Sequence, residues 1–364
     1  MKKTFLLMIC SCLFILPASA ELDIGGYYKN ELANINDRYG HGLSVDVNKL
    51  RLKVDYELTP TINFHLEPEY VSLLNQSSVT LADVSKYNEV VWDRTYVKIN
   101  FPDADLTVGK QRVAWGTGMV WNPTDVFNPF ALSFAVAEEE RRGVEGVRLS
   151  VPWGVASAVE YVVLTDREIE RAKKGFKVKT NVNNYDMSAS YVNLGGDGYQ
   201  FGFDTAGELF DQGLYAEGAF VHPASGNTYK KLVLGWNYTL ENSVGLNAEY
   251  FFNGQGALYS NDYDWASLLA GEIHQLGRNY CYFGINKMLD EITDVRLSFL
   301  SNIGDGSFII YPAYSRNIFQ NVDLSLEAMF PGGSEGTEYN PDEGIDPTGL
   351  IGSQIYFIKL KWSF

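Results

Sequence analysis

Basic side chains that recur at alternate positions, and one aromatic-rich loop, are the groups in this chain that could do chemistry. Arg51, Lys53, Arg94, Lys98, Lys110, Arg112 and Arg148 fall in segments with alternating polarity, and residues 116–143 hold Trp121, Asp125, Phe127 and the acidic run Glu138, Glu139 and Glu140. A row of fixed cations can order water and attract anionic solutes, while a loop bearing carboxylates and rings can narrow a passage or stack on a solute. Two blander assignments compete with these. The cations could pair with inward carboxylates such as Glu67, Glu160, Glu217 and Glu249, and Trp115, Trp121 and Phe127 could pack the loop against a wall. Asp125 in turn could face the passage or close an Asx-type bond within its own loop.

Catalysis finds less support in the sequence. His41, His65, His222 and His274 are the four histidines and none sits in a nucleophile motif. Gly116-Thr117-Gly118 is followed by Asn122-Pro123 and Asn128-Pro129 rather than by a helix, so it does not read as a dinucleotide loop. The expectation is no enzyme, no cofactor and no metal site. A formal net charge of −16 argues against nucleic acid as a partner.

The elements that position these residues are strands. Residues 1–20 read as a cleaved signal peptide, with Lys2 and Lys3 before an apolar core and Ala18-Ser19-Ala20 at its end. Cys10 and Cys12 leave with it, so Cys281 alone remains. No later apolar run reaches the ~20 residues of a membrane helix. Instead Leu50, Leu52, Val54 and Tyr56 alternate with Arg51, Lys53, Asp55 and Glu57, and residues 354–364 place Tyr356, Ile358, Leu360, Trp362 and Phe364 on one face with Lys359 and Lys361 on the other. About eighteen such strands can be counted, with sixteen as the alternative. Short turns near 59, 103, 153, 183, 211, 241, 290 and 318 alternate with generally longer segments. That rhythm predicts an all-β fold, a transmembrane antiparallel up-and-down β-barrel spanning residues 21–364 as one domain, because strands in lipid must close to satisfy their edge amides.

In its signal peptide, strand rhythm, terminal Phe364 and long loop after the fifth strand, the chain resembles Gram-negative outer-membrane porins. The resemblance implies a channel for passive diffusion of small hydrophilic solutes, with 116–143 folded inward as the constriction. It also implies contact with outer-membrane lipid and lipopolysaccharide, recognition of residues 354–364 by the barrel-assembly machinery, and compatibility with a homotrimer. The rings of the loop add a second reading, a channel specific for saccharides or amphiphilic aromatic compounds. A plugged barrel serving as adhesin or hydrolase is the third.

Overall fold

The computed structural model describes residues 21–37, 40, 42–75, 88–128, 141–154, 156–166, 168, 171–345 and 351–364. Eighteen strands run through it: β1 (Glu21–Asn36), β2 (Gly42–Thr59), β3 (Ile62–Asn75), β4 (Asn88–Asn100), β5 (Asp105–Gln111), β6 (Val144–Trp153), β7 (Ser157–Leu164), β8 (Lys174–Val182) and β9 (Tyr185–Asn193) form the first half. The second half comprises β10 (Gly198–Leu209), β11 (Gln212–Pro223), β12 (Tyr229–Thr239), β13 (Val244–Asn253), β14 (Asn279–Asp290), β15 (Thr293–Asn302), β16 (Phe308–Phe319), β17 (Val322–Gly332) and β18 (Gln354–Ser363). Each pairs antiparallel with its sequence neighbours, and β18 closes on β1 from Tyr27 opposite Ser363 to Asn36 opposite Gln354. The count is eighteen, which removes the sixteen-strand alternative, and closure leaves no edge strand.

Connections differ sharply between the two rims. On one rim the turns are tight, and Asn183-Asn184 and Phe210-Asp211 adopt positive φ at both central positions, the geometry that lets a two-residue turn follow strand twist. On the other rim lie the long loops. Three matter below: L3 (112–143), L7 (254–278) and L9 (333–353), with the short L8 (303–307) between L7 and L9. L7 contains the one-turn helix α1 (Trp265–Leu269), whose first turn is capped by Asp264 accepting from the Ser267 N–H at 3.0 Å.

The two faces of the wall separate as the alternation requires. Leu50, Leu52, Val147, Leu149, Ile358, Leu360 and Trp362 are exposed on the outer surface, while Lys29, Glu31, Glu67, Glu160, Glu217 and Glu249 are buried inside. Such an inverted arrangement is stable in lipid and would be unstable in water. The interior is not uniformly polar, however. At the loop end of β1, β2 and β18, the inward residues Ala33, Ile35, Leu43, Val45, Val47, Ile355 and Phe357 form an apolar core. The sequence pattern already held this exception: inward positions of β18 turn from Lys359 to Phe357 and Ile355 towards the long-loop rim.

Candidate constriction and basic wall

L3 enters the barrel from the end of β5. Asn128 fixes its base: its side-chain amide donates to the Val113 carbonyl and its oxygen accepts from the Val113 N–H at 3.2 Å, reproducing a strand pairing with one side chain. Further in, the Asp125 N–H donates to the Asn122 carbonyl at 3.1 Å, a β-turn with Pro123 at the position its fixed φ suits. Both Asn-Pro steps therefore mark points where the loop is tied.

Two wall carboxylates on strands far from β5 hold residues 117–124 of the loop. Glu217 of β11 accepts from the N–H groups of Thr117 at 2.8 Å, Gly118 at 2.9 Å and Thr124 at 2.6 Å. Glu249 of β13 accepts from Met119 at 2.8 Å, Val120 at 3.2 Å and Trp121 at 2.8 Å, and from the Tyr215 hydroxyl at 2.7 Å. These donors are buried or half-buried backbone amides in an irregular segment, where an unpaired N–H would otherwise be stranded. Gly116 permits the approach: at φ +90°, a Cβ there would lie 2.5 Å from a Glu217 oxygen. Each hydrogen bond to a charged acceptor contributes on the order of 1.5–3 kcal/mol, so the loop is held across the lumen rather than merely resting in it.

The rings of L3 complete this attachment. Trp115 and Phe127 are 2 % exposed and pack edge to face at 4.8 Å with Val113, Val162 and Val192, and the Trp115 indole N–H donates to Glu160 at 3.2 Å. Trp121 stacks on Phe251 at 5.3 Å beside Tyr280. Of the two readings open in the sequence, packing is what this geometry displays for all three rings, and Trp121 also borders a cavity. Asp125 bonds to Asn128 at 2.9 Å and to Arg141 at 3.0 Å. Burial pushes its carboxyl above the ordinary range, against the pull of Arg141 and Asn128. Glu138, Glu139 and Glu140 lie outside the described residues.

The basic side chains distribute in three ways. Arg51 of β2 is buried and fully engaged: it reaches Glu69 at 2.7 Å, Asp93 at 3.0 Å and Glu67 at 3.2 Å. Arg94 lies 3.6 Å from Glu67, Arg148 bonds Glu160 at 2.9 Å, and Lys98 pairs with Asp105 at 3.3 Å near the short-turn rim. Glu67 also meets His65 at 2.8 Å, whose other ring nitrogen meets Asp55 at 2.6 Å. Lys110 is a correction to the inward placement expected of it. It stands opposite Thr95 and Glu145 and shares the parity of Val108, which faces outward, whereas Gly109 and Gln111 face in. Its position follows from the alternation itself, since Leu106, Val108 and Lys110 are spaced by two. Arg112 lies beyond the end of β5 and is exposed at the start of L3.

Between the walls lie two spaces. One, of about 230 Å³, is lined by Lys29, Lys49, Arg51, Lys53, Arg142 and Lys361, with Glu69 and Asp93 as its carboxylates. Lys29, Lys49 and Lys361 were not among the sequence candidates, yet parity could have found them: Lys49 shares the face of Arg51, and Lys361 that of Lys359. What the sequence lacked was the β18–β1 seam, which sets Lys29 directly between Lys361 and Lys49. The second space, about 630 Å³, is an outer vestibule between L3, L7 and L9, lined among others by Trp121, Asp125, Arg141, Lys231, His274 and Glu338. Burial, then Lys231 and Arg141, hold the His274 imidazole below its ordinary range.

L9 is clasped over this vestibule by a buried carboxylate. Glu338 accepts from the Tyr280 hydroxyl at 2.6 Å, the Asn302 amide at 2.7 Å and the Leu276 N–H at 3.0 Å, joining L9 to L7, β14 and β15. Its own N–H donates to Asp305 of L8 at 2.8 Å. Burial is the largest cause raising the Glu338 carboxyl to about 7, with Asp305 adding to it.

Solved structures share this fold. OccAB1 of Acinetobacter baumannii superposes with a TM-score of 0.64 at 11 % identity, covering 96 % of this chain and 97 % of that one. OccK11 (OpdR) of Pseudomonas aeruginosa gives 0.63 at 9 % identity over 94 % and 96 %, and the outer membrane protein OprD from the same organism gives 0.58 at 9 % over 94 % and 93 %. The chain has the fold of an outer-membrane porin. No family model matches the sequence, and no curated protein matches it either. At these identities the likeness is one of architecture, so the roles of individual side chains rest on the distances above.

Proposed function

We propose that the protein is a porin-like channel for small hydrophilic solutes, with L3 setting its width and the basic wall favouring anionic ones. The observation that carries this reading is the pairing of a constriction held by Glu217 and Glu249 with a cavity where six bases face two carboxylates. A loop hooked at its tip keeps a passage of fixed width. Cations concentrated against a low-dielectric wall raise the local concentration of anions. The apolar outer face, ending at Trp362 and Phe364, supports seating in outer-membrane lipid and recognition of β18 by the assembly machinery.

The test is electrical. Purified protein added to a planar bilayer should give stepwise conductance, and a potassium chloride gradient should give a reversal potential on the chloride side. Electrically silent insertion would overturn the channel; a cation-selective reversal potential would overturn the role given to the basic wall. A solute-specific form of the channel finds support in the vestibule, where apolar side chains and ionised groups share one surface.

A further inference from the structure

Lys231 of β12 is a base of the vestibule that meets no carboxylate among the described residues. It stands opposite Ala219 and Asn253, both buried on the inner face, so its side chain belongs to the interior. Among the described residues its ammonium has one partner, the Tyr229 ring, at 5.6 Å from the centroid. The other bases that line this space are occupied: Arg141 pairs with Asp125, and Lys173 donates to the Val126 carbonyl at 3.1 Å. Glu272 also lines it, but is exposed and makes no ion pair with Lys231. The charges acting on His274 nearby are Lys231 and Arg141, both positive.

A half-buried ammonium of this kind gains most from an anion that brings no competing hydration with it. The surroundings define the rest of that anion. Leu194, Val221, Leu300 and Ile309 line the same space, together with the stacked pair Trp121 and Phe251. We propose that Lys231 is an anion-binding station in the outer vestibule, taking the charged head of a small amphiphilic anion whose apolar body lies against this lining. The station sits across the lumen from the basic cavity of β1, β2 and β18, so a solute would meet one cation before L3 and a cluster of them elsewhere. The inference deepens the channel reading and rests on it for delivery of the solute, but the binding itself does not require conduction.

The probes are hexanoate, acetate, 1-hexanol and hexylammonium, titrated calorimetrically into the purified full chain in neutral detergent. Hexanoate should bind saturably; acetate and 1-hexanol should bind about tenfold more weakly or less, and hexylammonium not at all, given what a charge-assisted contact contributes. Lys231→Met and Lys231→Gln should each weaken hexanoate about tenfold, and Lys231→Arg should stay within about threefold. The heat-dependent gel shift of the closed barrel reports that each variant is folded. Equal binding of hexanoate by wild type and both neutral variants overturns the station, and equal binding of acetate and hexanoate overturns the amphiphile. In bilayers, a conducting wild type whose current hexanoate does not block through Lys231 counts against this inference alone. A silent barrel that still binds hexanoate through Lys231 counts against the channel alone.

Discussion

The wall of β1–β4 and β18 and the wall of β11–β13 both bury charged side chains on the inner face, yet they use them oppositely. Around Arg51 the carboxylates Glu67, Glu69 and Asp93 converge on one guanidinium, Glu69 also pairs with Lys49 at 3.4 Å and Glu31 with Lys29 at 3.2 Å, and these two lysines line the cavity together with Lys53 and Lys361. On β11 and β13 the carboxylates Glu217 and Glu249 meet no lysine or arginine among the described residues; backbone amides of L3 satisfy them. The lesson is that an inward charge is not thereby a water-facing one. The first wall holds a field across open space, and the second spends its charge on holding a loop.

The strongest way to break this contrast is to release the loop. Replacing Glu217 and Glu249 together by alanine removes six amide contacts to charged acceptors, each contributing about 1.5–3 kcal/mol. Single-channel conductance should rise severalfold, and L3 should become cleavable by added protease in the folded barrel. Unchanged conductance would mean that L3 does not set the width.

The converse test acts on the field. Lys49→Met combined with Lys361→Met should leave conductance of the same order but move the reversal potential in a chloride gradient towards cation selectivity. A wall whose remaining cations were all neutralised by carboxylates would show no shift. Between the two walls, the Glu338 clasp offers a smaller, pH-dependent effect. Its carboxyl binds a proton more tightly folded than unfolded, so its contribution is fully present below the ordinary range of a glutamate and fades as pH rises through about 7. Hydrogen exchange of the L7 and L9 amides should therefore quicken, beyond its intrinsic pH dependence, between about pH 6 and pH 8, with Glu338→Gln removing that excess. The smallest effect belongs to Lys110→Ala. With its side chain on the outer surface opposite Thr95 and Glu145, selectivity and conductance should be unchanged, and a shift in either would return Lys110 to the lumen.

Legibility in the sequence followed the range of the interactions. The alternation of Arg51, Leu52, Lys53 and Val54 and the turn at Asn183-Asn184 are local, so strands, faces and the barrel could be read directly. The apolar interior at Ile35, Val45 and Phe357 was equally open to parity but was hidden by the assumption of a polar lumen. Lys110 was misplaced although its parity with Val108 was visible. The two Asn-Pro steps of L3 were legible as an ordered loop, and its attachment to the wall was not.

Sequence alone determined that the chain is a barrel, because lipid demands that every strand present an apolar face and find two neighbours, and both demands act through a period of two residues. Tertiary structure alone decided which charges meet. Arg51 and Asp93 are 42 residues apart, and Glu249 and Met119 are 130 apart. Such encounters depend on the register accumulated around the closed wall and on the path of L3 across it, and no local spacing records either.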